Sequence, residues 1–168
     1  MRIRKAAAML AATSAAVVGL SVATAGTASA AVGGGGCRTT GYAPEPGDMM
    51  IDPCVYGPLA TWSDNRVYPV VTTYQNGFNS GDPTAVLPCA QLLSTDGHGH
   101  TTGMVHDFGC APQWESTGDT EWDASQQGNY FSAQPGTYVV ASGFWATING
   151  HYGYYGGAES AVITVWNA

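Results

Sequence analysis

After residue 30, no window of the chain carries the i, i+3, i+4, i+7 apolar spacing of an amphipathic helix. Gly, Pro, Asn, Asp, Ser and Thr interrupt it every few positions. A chain broken that often buries apolar surface in short strands, and the uninterrupted pieces are rich in Val, Tyr, Thr, Phe and Trp. Strands are expected at residues 66–74, 85–93, 101–108, 129–133, 137–148 and 158–166. In the first, Tyr68, Val70, Thr72 and Tyr74 share a face. In the fifth, Tyr138, Val140, Phe144 and Ile148 share one face, with Val139, Ala141 and Trp145 on the other. The last places Val162 and Trp166 opposite Ile163 and Val165. Asn149-Gly150 carries a hairpin-turn signal, while Gly153, Gly156 and Gly157 point to a longer, aromatic-rich tip. Seven or so short strands joined by turns predict an all-β sandwich.

The first 30 residues follow a different rule. Arg2, Arg4 and Lys5 precede an apolar run from Ala6 to Val22, and Ala28-Ser29-Ala30 supplies small residues for cleavage. This pattern is that of a secretory signal peptide, and cleavage after Ala30 leaves 168 − 30 = 138 residues. The expected organisation is a signal peptide over 1–30, a Gly- and Pro-rich N-terminal arm over 31–53 and a β-sandwich domain over 54–168. The expected location is extracellular.

Cleavage also changes the charge. Of five Lys and Arg, only Arg38 and Arg66 remain against twelve carboxylates, giving 2 − 12 = −10. A surface that acidic, without lysine, argues against nucleic acid or an anionic membrane as partner, because both are held by Lys and Arg. Cys37, Cys54, Cys89 and Cys110 all lie in the exported part, and an even count in a small secreted chain reads as two disulfides. Three connectivities are open. Cys37–Cys54 and Cys89–Cys110 are favoured, since each closes a modest loop beside a strand.

Chemistry-bearing motifs are sparse. His98-Gly99-His100 with His106 forms the histidine cluster, close to Met104 and Asp107, and such a set can meet zinc or copper. A short spacing on a Gly-rich turn is not a preformed site, so these histidines are read as solvated and neither metal nor cofactor is expected. Asp119-Thr120-Glu121-Trp122-Asp123 alternates carboxylates as calcium loops do. Ala124 stands where such a loop needs glycine and Tyr130 where it needs glutamate, so it reads as an acidic loop around one tryptophan. There is no G-x-S-x-G stretch, no unpaired cysteine to match a histidine, and no lysine in the mature chain. No catalytic residue is assigned and a non-enzyme is expected. Tyr152, Tyr154 and Tyr155 crowd a Gly-rich hairpin beside His151, a composition common to recognition surfaces.

The stretch Ala31, Val32, Gly33, Gly34, Gly35, Gly36 has two readings. It keeps a cleavage site accessible, or it is a thin peptide that threads a narrow cleft and offers its backbone there. Cys37 fixes where it leaves the domain.

Three resemblances add to these readings. Gln134-Pro135-Gly136-Thr137-Tyr138-Val139-Val140 resembles the start of the penultimate strand of immunoglobulin-like domains. That likeness implies a tyrosine capping the corner and Val140 pointing into the core, where antibody domains carry a cysteine. Ala31-Val32-Gly33-Gly34 looks like the activated N-terminus of trypsin-like proteases, which inserts into a pocket; here the pocket belongs to a partner. Together with chain size, export and the paired cysteines, the arm resembles that of the small adapter subunits of umbrella toxin particles secreted by actinobacteria. The resemblance implies a non-enzymatic adapter that binds other secreted proteins, joining a lectin subunit with a trypsin-like domain to the repeat stalk of a large antibacterial toxin. The rival readings are a secreted protease inhibitor, with a disulfide-pinned loop near Cys89 or Cys110, and a metal- or carbohydrate-binding module.

Overall fold

The structure, a computed structural model, describes residues 30–57 and 65–167. The signal peptide read at 1–30 therefore lies, except for Ala30, outside the described residues. Among the described residues thirteen strands follow one another: β1 (Ala30–Gly34), β2 (Gly36–Cys37), β3 (Ala43–Glu45), β4 (Met49–Tyr56), β5 (Arg66–Gln75), β6 (Ala85–Thr95), β7 (Thr101–Cys110), β8 (Glu115–Ser116), β9 (Thr120–Asp123), β10 (Phe131–Ser132), β11 (Gly136–Ile148), β12 (His151–Glu159) and β13 (Ile163–Asn167). The helical element among the described residues is a 3-10 turn, Ala124–Gln127, which Asp123 caps by accepting from the Ser125 N–H.

The strands form two sheets, and every pairing is antiparallel. The seven-stranded sheet runs β1-β13-β11-β6-β7, with β12 also on β11 and β8 on β6. The six-stranded sheet runs β10-β5-β4-β2, with β3 on β4 and β9 on β5. Between them lies one apolar core, to which β4 and β5 give Met49, Ile51, Val55, Val67 and Val71, and β6, β11 and β13 give Leu92, Val140, Phe144, Ile163 and Val165. Alternation fixes these choices, because a strand with one buried face places every second residue inside.

Along β11 the residues expected to share a face, Tyr138, Val140, Phe144 and Ile148, are all buried in the core, and Val140 points inward as the immunoglobulin-like resemblance implies. The face shared by Tyr68, Val70, Thr72 and Tyr74 has the opposite sense. Val67, Val71 and Thr73 point inward, and the tyrosines build an outer aromatic layer, with Tyr68 5.5 Å from Tyr130 and Tyr74 4.8 Å from Tyr42. Tyrosine suits both positions, since its ring packs and its hydroxyl stays wet.

The return from β11 differs from the expected single strand at 158–166. Asn149 (φ 51°) and Gly150 (φ 77°) both lie in the left-handed region and make a two-residue turn, so Ile148 pairs with His151. Tyr152, Tyr154 and Tyr155 therefore belong to a strand, not to a loop tip. β12 leaves β11 at Glu159 and β13 rejoins it at Ile163. In the gap, the Ser160 N–H donates to the Val140 carbonyl and the Ser160 hydroxyl accepts from the Val140 N–H, both at 2.9 Å. The side chain thus completes a ladder rung that the backbone has left.

Both favoured disulfides are present. Cys37–Cys54 joins β2 to β4 and Cys89–Cys110 joins β6 to β7, each between residues directly opposite in register. One disulfide lies within each sheet and neither crosses the core. The segment expected as an unpaired arm, 31–53, is instead paired in β1, β2, β3 and β4, and the boundary drawn between 53 and 54 falls inside β4.

Candidate functional site

The glycine run marks the place where the chain changes sheets. β1 pairs with β13 in the seven-stranded sheet, from Ala30 opposite Asn167 to Gly34 opposite Ile163. β2 pairs with β4 in the other sheet, with Gly36 opposite Val55. Only Gly35 separates the two strands, and its N–H donates to the Val162 carbonyl at 2.9 Å. Gly34, Gly35 and Gly36 have φ of 73°, 82° and 98°, a succession open to glycine and costly for any residue with a Cβ. At Gly35 a Cβ would also stand 2.6 Å from the Val55 carbonyl oxygen. The Trp166 ring lies across Gly33, where a Cβ would approach it to 2.3 Å. Neither slack nor a free arm accounts for these constraints, and the composition alone held no signal for a change of sheet.

Of the three tyrosines, the structure separates one from the other two. Tyr155 turns toward the core, 6.2 Å from Phe144, and its hydroxyl donates to the His151 carbonyl. Tyr152 and Tyr154 stand on the outer face, 63% and 47% exposed, with Trp114 at 47%. Trp145 lies between them, stacked on Tyr152 at 5.3 Å and 18° and edge-on to Tyr154 at 5.6 Å. Trp114 reaches Tyr152 at 6.3 Å. Gly143 makes room for this arrangement: a Cβ there would meet the Tyr154 hydroxyl at 2.6 Å.

Beside these rings is a cleft of about 320 Å³, lined by Gln91, Asp107, Trp145, Tyr154 and the Cys89–Cys110 disulfide with Gly109. Asp107 accepts from the Gly109 N–H through Oδ1. Burial raises the Tyr154 hydroxyl above the usual phenol range, and the carboxylates of Asp107 and Glu45 push it further. On the opposite sheet, Tyr42, Tyr74, Gln75 and Asp119 line an open groove. There burial, and then Asp119 and Asp52, raise Tyr42. Trp122 of the acidic segment is buried, and its indole N–H donates to Gln127.

The histidines do not assemble. Asp96 ties the β6–β7 turn by accepting from the backbone N–H groups of His98 and His100 and by pairing with the His100 ring at 3.0 Å. His106 instead stacks on Phe131 at 4.6 Å and meets Phe108 edge-on. The grouping of three metal-ligating atoms found among the described residues is Cys37, Asp52 and Cys54, whose two sulfurs are bonded to each other. No helix among the described residues is long and apolar enough to cross a membrane. Comparison with protein-family models, with curated proteins and with solved structures gave no match.

Proposed function

We propose that this chain is a non-enzymatic, protein-binding adapter that hands the segment 31–36 to a partner. The observation that carries the reading is the attachment of β1. Among the described residues it is the end strand of its sheet, flanked by β13 alone, and it joins the body through Gly35 just before the Cys37–Cys54 disulfide. A strand of small residues with one neighbour, a glycine hinge behind it and a covalent anchor behind that is suited to exchange. It leaves β13 and adds its backbone to a partner's cleft, while the anchor limits the ordering entropy lost on binding.

The resemblance to umbrella-particle adapters names the partners this reading expects: a secreted lectin subunit with a trypsin-like domain at the arm, and a toxin stalk elsewhere. Export of the chain belongs to the same proposal and is supported by two disulfides. So does the finer fold, an immunoglobulin-like sandwich. Its support is the Tyr138 hydroxyl, which donates to the Gln134 carbonyl at 2.6 Å at the start of β11 as a corner tyrosine does.

The test compares three forms as bait for culture-supernatant proteins identified by mass spectrometry. They are residues 31–168, the same chain lacking 31–36, and a form in which Val32→Cys and Val165→Cys lock β1 to β13 at a register pair. The expected result is one set of secreted partners retained by the first form and lost by the other two. Equal capture by all three forms overturns the adapter reading.

A further inference from the structure

We infer that the outer face of the seven-stranded sheet carries a binding site for a neutral pyranose glycan, built by Gln91, Asp107, Trp145 and Tyr154 and extended by Tyr152 and Trp114. The site lies on β6, β7, β11 and β12, away from the β1–β13 edge, and so goes beyond the adapter reading.

A pyranose presents an apolar C–H face and a rim of hydroxyls, and the cleft matches both. Trp145 and Tyr152 are stacked with nearly parallel planes, Trp114 is tilted against Tyr152, and Tyr152, Tyr154 and Trp114 keep exposed ring surface for a C–H face. Three exposed large aromatics on neighbouring elements form a patch of the kind that marks a ligand surface. The hydroxyl rim needs acceptors and donors with spare capacity. The Gln91 side-chain amide, the Tyr154 hydroxyl and the Trp145 indole N–H have no hydrogen-bond partner among the described residues. Asp107 uses one oxygen on Gly109 and keeps the other. The cleft's volume of about 320 Å³ sits at the lower end of the roughly 300–1,000 Å³ typical of small-ligand sites, room for a sugar unit.

Charge selects among sugars. Asp107 in the cleft and an excess of twelve carboxylates over five basic residues repel uronates, sulfates and phosphates, and leave neutral units. Positions 143 and 154 are matched to the role, since only a residue without a Cβ lets the Tyr154 ring settle across β11.

The experiment titrates residues 31–168 with cellotetraose, chitotetraose, xylotetraose and mannotetraose, each to about 10 mM, following indole NMR signals and tryptophan fluorescence. Tetragalacturonate is the anionic control. At least one neutral tetrasaccharide is expected to bind with millimolar or tighter affinity and to shift the Trp145 indole. Asp107→Asn, which keeps the acceptor for Gly109, and Trp145→Phe, which keeps a ring, are each expected to weaken binding about tenfold, the worth of one such contact. Deletion of 31–36 is expected to leave the affinity unchanged, so failure here and failure of the adapter reading are separable. No response to any neutral sugar, equal binding of tetragalacturonate, or full affinity in both point variants overturns the inference.

Discussion

Thr73 lies wholly buried between the sheets, and its hydroxyl makes no hydrogen bond among the described residues. A hydroxyl taken out of water and left unpaired costs roughly 1–3 kcal/mol. Thr73→Val keeps the shape and removes the cost, so urea denaturation should show a variant more stable by about 1 kcal/mol. The glycine run allows a sharper comparison. Gly36 has open space where a Cβ would point, whereas Gly35 faces the Val55 carbonyl oxygen. Gly36→Ala should cost about 1–2 kcal/mol for its left-handed backbone alone. Gly35→Ala should cost visibly more, and equal midpoints for the two would contradict the sheet-crossing role. At this scale the sequence was only partly legible. The four glycines announced a special backbone, but a positive φ serves a loose arm and a tight crossing alike. The outer aromatic site was half visible: Tyr152 and Tyr154 stood out, whereas Gln91 and Asp107 lie far from them in sequence and meet them through strand register, and Trp114 reaches Tyr152 from the segment before β8.

Among the elements, β11 was the best read, because the large apolar residues Tyr138, Val140, Phe144 and Ile148 recur at even spacing along its thirteen residues and so share one face. Its corner should be sensitive to a single atom. Tyr138→Phe loses the bond to Gln134 and is expected to cost about 1 kcal/mol, measured by denaturation at equal buffer conditions. Short strands were the least legible: β1, β2 and β3 hold too few residues to show a period, and their pairing is decided by β13 and β4. The split of β12 from β13 was hidden for another reason, since a serine completing a ladder rung looks like any turn residue. The β6–β7 turn gives a pH test. The His98 backbone N–H, the His100 ring and the His100 backbone N–H hold Asp96 below the usual carboxylate range. A depressed carboxyl stabilises the turn at pH above its unfolded value, and that contribution is lost as pH falls through the depressed one. The Asp96 side-chain carboxyl carbon signal should therefore titrate below the ordinary Asp range, with the His98 and His100 amide signals showing a step at that same midpoint. Movement at the ordinary value would mean that Asp96 is not holding the turn.

For the whole molecule, the placement of the disulfides matters more than their number. They close segments with sequence separations of 17 and 21, for which loop entropy gives about 3 kcal/mol each. Because each sits in its own sheet and they share no partner, their effects should add. Removing both is then expected to cost about 6 kcal/mol, comparable with the whole stability of a small domain. A reduced chain that keeps its full urea midpoint would contradict this. The sandwich itself, two sheets with apolar alternation between them, was legible throughout, since alternation and turn spacing are local signals. Which strand neighbours which was not, because register depends on contacts distant in the chain.

The pairing of Ala30 with Asn167 has a mechanical consequence. The two described ends leave the sheet side by side, so a pull between them acts across the ladder and not along it. Hydrogen bonds loaded in that direction open one after another, as a zipper does, and β1 peels away at low force. The peel meets a covalent stop at Cys37. From Ala30 this releases 37 − 30 = 7 peptide steps, on the order of 25 Å of extended chain, with the rest of the sandwich still closed behind it.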